Sequence, residues 1–549
     1  MGLKGGQLPW PLEHLMCSVV GIIFNQLLTW CVVWSFFESV VRRLRGIPDW
    51  GVPRPATARV PAPAEVKAPR ASDAATKALA ADDASDAASD DAVAEIDAPR
   101  APAAAKAAKA AAAAAAAGTL EVPVQHIEVD AQLGTKCEAW RLVGPYLRQY
   151  GSGALSSSTL WNPEFTHLFI PGVGSQPYVV ARAYCRAVVV GIGDPLAARE
   201  HWPVVIDAFL AAFPKATYAH VGPEFGAVLR DHRGMQVQDI GAETNVMVQT
   251  WAYGKKTRTI KNAARDARAA GVRVRELRSE DLTPEVCKQL AHVTGDWIQK
   301  KSVKENTLRV FIRHVDYDAL HLEQGVRLFI AETPEPAPAA AAAAPPDAKA
   351  AGAEDDASSC TTSPSSPRPA GPARARLEGF VMVDPLWRGG EVYGYVTSLN
   401  RMRQGSHHGT LKLLYETVFA AAKADGKEMV TFGFSPFFNL QMKPFCTPMW
   451  CELGGRWLFN HGNNLYQFKN LAFSKARYGG SVEGDSYKDP NVTMTHVYGV
   501  HRMRLPGTGI LEQYITFMYV GFMGDIFDTL LKLTGIRTTV GNATFAAEE

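Results

Sequence analysis

The sequence predicts an α/β (α+β) protein, and three observations carry that prediction. From residue 120 onward, short β-branched and aromatic runs alternate with amphipathic stretches. The alternation occurs in two successive sets of the same sense, and Ala/Pro/Asp/Ser-rich tracts at 52–118 and 334–374 flank or interrupt them without being able to bury a core. With 47% hydrophobic and 20% charged residues in 549, the chain is not wholly disordered, collagenous or polytopic in a membrane.

Taken in order, residues 15–37 are uncharged and mostly apolar, and at about 1.5 Å per residue they suffice for a hydrocarbon core of about 30 Å. They predict a single transmembrane helix, with Asn25 and Gln26 as polar interruptions. A cleaved signal peptide is disfavoured, because the run is longer than a usual h-region and Lys4 is offset by Glu13. Arg42, Arg43 and Arg45 follow the run and place the remainder on the cytosolic side. Residues 52–118 then read as a tether.

The first folded set, expected over 119–315, contains THLFIP (166–171), YCRAVVVG (184–191), WPVVIDAFLAAF (202–213) and ATYAHV (216–221). The second, expected over 316–505, contains VRLFIAE (326–332), LEGFVMVDPLW (377–387), VYGYVTSL (392–399), a helix from about 410 to 424, and MVTFGFS (429–435). VRLFIAE and LEGFVMV read as hairpin partners despite the insertion at 334–374, since closure entropy grows only logarithmically with loop length. Residues 506–549 form an apolar to amphipathic end. Its densest part, 510–535, is too short between Glu512 and Asp525 to span, and fits an interfacial position or a cover on the core.

A net charge of +2 conceals opposed blocks. Residues 73–97 hold eight acidic residues and one lysine, whereas 251–278 hold nine basic residues and two acidic ones. In the second block Lys261, Arg265 and Arg268 fall at i, i+4 and i+7, beside Lys255, Lys256 and Arg258, with Gly271 as the helix stop. Such a face suits the phosphates of an RNA acceptor stem or anionic lipid headgroups, and equally a solvated surface. The eight cysteines lack paired spacing, which argues for a reducing compartment, and no metal site or cofactor is expected.

Three further stretches bear chemistry. In NRMRQGSHHGTLKLLYETVF (400–419), Gly405 and Gly409 would let a ligand approach the backbone, the following helix would offer its amino-terminal amides, and His407 or His408 would supply a base. FGFSPFFNLQMKPF (432–445) sets Ser435 and Asn439 among apolar residues, where they need hydrogen-bond partners, either a bound substrate or, equally, structural turn chemistry. LYQFKNLAFSKARYGG (465–480) aligns Tyr466, Lys469, Phe473 and Arg477 on one helical face.

As a set, GDPLAA (193–198), DIG (239–241) before the Gly-Lys-Lys at 254–256, DWIQKKSVKEN (296–306), FGFSPF (432–437) and LYQFKNLAFSKARYGG resemble the catalytic domain of bacterial phosphatidylglycerol lysyltransferases, over about 130–333 and 375–490. That family includes free-standing eukaryotic members, some similar to enzymes that aminoacylate sterols. The resemblance implies two tandem GNAT-like acyltransferase domains, the second catalytic. It also implies transfer of an aminoacyl group from aminoacyl-tRNA to a membrane lipid hydroxyl, of phosphatidylglycerol or a sterol, at the bilayer. It implies that Arg401 binds phosphate or the oxyanion and that Glu305 binds the aminoacyl ammonium. Where the bacterial family has Asp-Leu-Met-Arg, this chain has Ser398, Leu399, Asn400 and Arg401, so the acid is absent and His407 or His408 would serve as base. Two alternatives stay open: an acyl-CoA-dependent N-acyltransferase, against which 401–409 lacks the usual pyrophosphate-loop glycines, and a non-catalytic membrane scaffold on a degenerate acyltransferase fold.

Overall fold

The computed structural model describes residues 123–130, 136–183, 186–299, 310, 313–318, 320, 325–334, 375–441, 443–445, 449–462, 467–480 and 489–502. The expected membrane span at 15–37, the tether at 52–118, nearly all of the 334–374 insertion and the tail at 510–535 lie outside the described residues. So do Glu305 and Tyr466. Among the described residues no helix is long and apolar enough to cross a membrane.

The chain builds a mixed α/β fold on one large sheet. Its first half runs β1 (Gln125–Glu128), α1 (Glu138–Tyr150), β2 (Phe165–Ile170), β3 (Gly174–Ala183), β4 (Arg186–Ile192), the short β5 (Leu196–Ala197), α2 (Trp202–Ala212), β6 (Thr217–Val221), α3 (Pro223–Arg233) and β7 (Gln236–Met247). After α4 (Arg258–Ala269) the second half runs β8 (Arg273–Leu277), α5 (Pro284–Gln299), β9 (Arg327–Pro334), β10 (Ala375–Arg388), β11 (Glu391–Met402), α6 (Thr410–Ala424), β12 (Met429–Pro436), α7 (Met449–His461), α8 (Phe468–Ala476) and β13 (Val492–His501). Leaving β5 and the extra helix aside, the two halves repeat one order of elements.

The strand order β1-β2-β3-β4-β6-β13-β7-β12-β11-β10-β9-β8 is the same read from either end under that repeat. The halves exchange their last strands: β13 pairs β6, β7 pairs β12, and β13 and β7 lie antiparallel at the centre. Pairing therefore crosses the division expected at residue 315 repeatedly, since β8 pairs β9, β7 pairs β12, and β13 pairs β6 and β7. The hairpin expected from VRLFIAE and LEGFVMV is present as the antiparallel β9·β10 pair.

Among the described residues only β4·β6 and β11·β12 pair in parallel, each over three residues, and each has a helix as its crossover. The next residues of β6 and β12 carry matching bulges. Ala219 and His220 stand against Gly499 alone, and Phe432 and Gly433 against Thr244 alone. The second residue of each bulge is left-handed, His220 at φ 61° and Gly433 at φ 68°. Glycine adopts that conformation freely, whereas a histidine there is uncommon and strained.

Burial follows the pattern of each helix. α6 sinks Leu413, Leu414, Val418 and Ala422 into a core shared with Val381, Val383, Tyr395 and Val430 of the sheet. At about 1.5–3 kcal/mol for each large side chain buried, that stripe dominates the attachment of α6. α4 contributes only Ile260, Ala264 and Ala267, small enough to bring its backbone close to α6, and Gly271 at φ 85° follows its end. α5 covers another core, with Leu290 and Val293 against Phe380, Met382 and Leu399.

Candidate functional site

β11 and β12 stay paired from Gly394↔Met429 to Val396↔Thr431 and then part, β11 following β10 and β12 following β7. A gap at the carboxyl ends of parted parallel strands is where open α/β sheets receive ligands. Ser398 is the extra residue of a bulge between the pairs Val383↔Thr397 and Met382↔Leu399, and its hydroxyl donates to the Met382 carbonyl at 3.2 Å. Asn400 donates to the Tyr415 hydroxyl of α6 at 2.9 Å. Arg401 is buried, its guanidinium 3.8 Å from the centre of the Trp297 ring on α5. Its Nη1 donates to the Asn400 carbonyl at 3.3 Å. On the neighbouring strand Asp384 is fully buried and pairs with the buried Arg313 at 2.9 Å. Burial pushes the Asp384 carboxyl up, while Arg313 and the Ser398 hydroxyl draw it back.

The loop after β11 is held from within. The Gly409 amide donates to His407 Nδ1 at 3.1 Å, the Thr410 amide to the His407 carbonyl at 2.9 Å, and the His407 and His408 rings lie 4.4 Å apart. With Nδ1 accepting, the proton of a neutral His407 resides on Nε2. Gly405, at φ 80° with no atom near its missing side chain, serves the turn. Gly409 does something else: a β-carbon there would overlap the Ala263 carbonyl of α4. The close approach that this glycine permits is thus to α4, and the basic helix lies directly on the loop that opens α6.

All six predicted phosphate-binding residues, Lys255, Lys256, Arg258, Lys261, Arg265 and Arg268, are exposed. Arg265 pairs with Asp266 at 3.0 Å and Arg268 with Glu416 of α6 at 2.7 Å. Lys256 packs against Gly480, and Lys412, in the first turn of α6, is depressed by burial and by Arg477. Positive charge therefore collects where α4, the start of α6 and the segment after α8 meet. Ser435 is fully buried and its hydroxyl finds no hydrogen-bond partner among the described residues. Asn439, at φ 51°, contacts Met494 Sδ at 3.5 Å, and Lys469 is half-buried on α8.

Four residues outside the predicted set form a second centre. His220 reaches over β13 and brings Nε2 to 3.3 Å from Glu243 Oε1 of β7, with its ring 5.1 Å from that of Phe434. Lys475 of α8 is buried and donates to the carbonyls of Gly433 and Phe434, at 3.0 and 2.8 Å, in the β12 bulge. Asp194, in the turn after β4, accepts the Gly222 amide at the start of α3 at 2.7 Å. Burial holds His220 neutral, down at about 4, and lifts Asp194 to about 6. It raises Glu243 and lowers Lys475, each drawn back by the other's charge. Asp194 and Lys475 stood inside stretches recognisable in the sequence. Glu243 follows the DIG stretch, whose Asp239 accepts the amides of Gly241 and Gln441 and pairs with His496 at 2.7 Å.

The family described as phosphatidylglycerol lysyltransferase, C-terminal, matches residues 145–346 and 367–487. The chain belongs to this family. Phosphatidylglycerol lysyltransferase C-terminal domains are lysyltransferase-like acyltransferases, which supports an enzyme that transfers an aminoacyl group to lipid. The matched region includes both parted strand pairs, α4, Arg401 and all four members of the buried centre. Among solved structures, the chain is similar to L-PGS from Bacillus licheniformis, at 17% identity over 69% of this chain and 96% of that one, with a TM-score of 0.49. It is also similar to the C-terminal domain of a putative lysylphosphatidylglycerol synthetase from Agrobacterium fabrum, at 14% identity over 70% and 97%, with a TM-score of 0.46. No curated protein matches the chain.

Proposed function

We propose that the chain transfers an aminoacyl group from aminoacyl-tRNA to the hydroxyl of a membrane lipid, phosphatidylglycerol or a sterol. Within the family, the observation that carries this reading is the seating of the basic helix α4 on the loop at the mouth of the parted β11 and β12. The exposed lysines and arginines of α4 would hold the acceptor end of the tRNA by its phosphates and bring its terminal ester to the gap. The repeated halves would then be tandem GNAT-like folds, and residues 15–37 would anchor the cytosolic enzyme at the bilayer that supplies the acceptor.

Chemically, the lipid oxygen attacks the ester carbonyl, a developing oxyanion is stabilised, and the terminal ribose oxygen departs. Arg401, permanently charged and oriented by Trp297, is the cation suited to the oxyanion or an adjacent phosphate. His407 is a poor base in this geometry, because Nδ1 is occupied by the Gly409 amide and Nε2 carries the proton. Lipid extracts from cells with and without the chain, searched for amine-bearing lipid, test the proposal. A ninhydrin-positive lipid that depends on the chain, and whose formation in lysate is abolished by RNase, is the expected result. Identical extracts contradict it, and an RNase-resistant product would redirect the donor to an acyl thioester.

A further inference from the structure

Position singles out the buried centre at His220, Glu243 and Lys475. The last paired residue of β12 against β11 is Thr431, which also pairs with Asn245 of β7, and the next pair along β7 is Phe434↔Glu243. Glu243 thus stands one strand from the gap, at the level where the gap opens. His220 comes to it from the equivalent bulge in the other half, so the parting points of both halves converge on one carboxyl group.

The chemistry of the cluster suits proton transfer better than simple cohesion. An ammonium has three donors, and Lys475 spends two on the Gly433 and Phe434 carbonyls, leaving one N–H. His220 is uncharged and does not neutralise Glu243, and Asp194 opposes the ionisation of Glu243 from the turn after β4. Tyr393 of β11 also feels the Glu243 charge. Burying an acid and an amine adds little net stability over apolar packing of similar volume, and here both are kept with a strained histidine beside the acid.

We propose that Glu243, held as a carboxylate by Lys475 and screened from water by His220, accepts the proton of the lipid hydroxyl. This deepens the aminoacyl-transfer reading and rests on it. As the lipid oxygen bonds to the ester carbon, its proton passes to Glu243. When the bond from that carbon to the ribose oxygen breaks, the same proton passes from Glu243 to the departing oxygen, so Glu243 ends as it began and nothing is oxidised or reduced. The acid missing at Ser398 is thereby replaced from a different strand. Burial pushes Glu243 up to about 7, which matches a base working near neutral pH.

The test uses the full chain with labelled aminoacyl-tRNA and vesicles of phosphatidylglycerol or sterol-containing lipid. Wild type should show kcat/KM rising with pH through a limb near 7. Glu243→Gln should lose that limb and fall by about 100-fold or more while still binding aminoacyl-tRNA and unfolding cooperatively. Glu243→Asp should recover part of the rate together with the limb. The inference is overturned if folded Glu243→Gln keeps the limb and a rate within a few fold. It is equally overturned if Gln and Asp variants both lose tRNA binding and cooperative unfolding, which marks a structural group. Absence of any aminoacyl-lipid from the wild type overturns instead the transfer reading on which the inference stands.

Discussion

Gly409 at the start of α6 meets the Ala263 carbonyl of α4 so closely that no side chain fits between them. This contact joins the basic helix to the second half. Adding a methyl by Gly409→Ala must push α4 outward, at a cost of about 1–3 kcal/mol. Gly405→Ala meets open space and suffers only the left-handed strain of φ 80°, about 1–2 kcal/mol. Urea unfolding of the two variants should rank Gly409→Ala as equal or worse, with weakened tRNA binding in that variant alone.

Arg401 and Trp297 allow a sharper substitution than removal of the side chain. Arg401→Lys keeps the charge but loses the planar face that lies 3.8 Å from the indole, so the cation is no longer fixed in place. Aminoacyl-lipid formation should fall at least tenfold in Arg401→Lys and further in Arg401→Ala, with near-ultraviolet circular dichroism showing the fold retained.

Asp384 and Arg313 form a fully buried ion pair that ties the segment around 313 to β10. Removing one partner leaves the other charge buried and unpaired. Asp384→Asn should therefore lose about 3–5 kcal/mol, read as a drop in the denaturant midpoint. Replacing both partners by apolar residues should recover much of that loss.

His167 supplies a pH signature. It is fully buried, with Ser175 Oγ and the Thr159 carbonyl each 3.1 Å from its ring nitrogens, and burial depresses it from 6.5 to about 4. The unfolded chain therefore takes up this proton first as pH falls, and stability is lost from pH 6.5 down through 4. The stability advantage of wild type over His167→Gln should shrink by about 3 kcal/mol across that window, measured by urea unfolding at each pH.

The α4 face should announce itself through salt. Arg265 pairs only with Asp266 of its own helix, whereas Arg268 is tied across to Glu416 of α6, so Lys261→Glu with Arg265→Glu should weaken tRNA binding more than Arg268→Gln does. If both residues meet phosphates, the slope of log affinity against log salt should become shallower by about 1.5 in the double variant.

Much of this fold is visible in local pattern. The helix expected at 410–424 spans Thr410–Ala424, because its apolar residues recur at helical spacing. The β9·β10 hairpin is legible across a long insertion because both strands carry their own apolar runs. The exchange of β7 and β13 is not legible. Asn245 and Thr495 are hydrogen-bonded at 2.8 Å across 250 positions, and nothing local to either announces the other. The same holds for the site. Gly405, Gly409 and Arg401 stand in a loop whose composition draws the eye, but the partner of Gly409 lies on a helix well before it in sequence. Glu243 is one of two acidic residues in a twelve-residue strand, and only the bulges of β6 and β12 bring His220 and Lys475 to its surroundings.

The most direct measurement is transfer of radiolabel from aminoacyl-tRNA into chloroform-soluble lipid by the purified full chain with defined vesicles. The account predicts labelled lipid whose formation requires the chain and the acceptor, is abolished by RNase pretreatment of the donor, and is lost in Arg401→Ala. Label that stays in the aqueous phase with every charged tRNA and both acceptor lipids, from a protein shown to be folded, would contradict it.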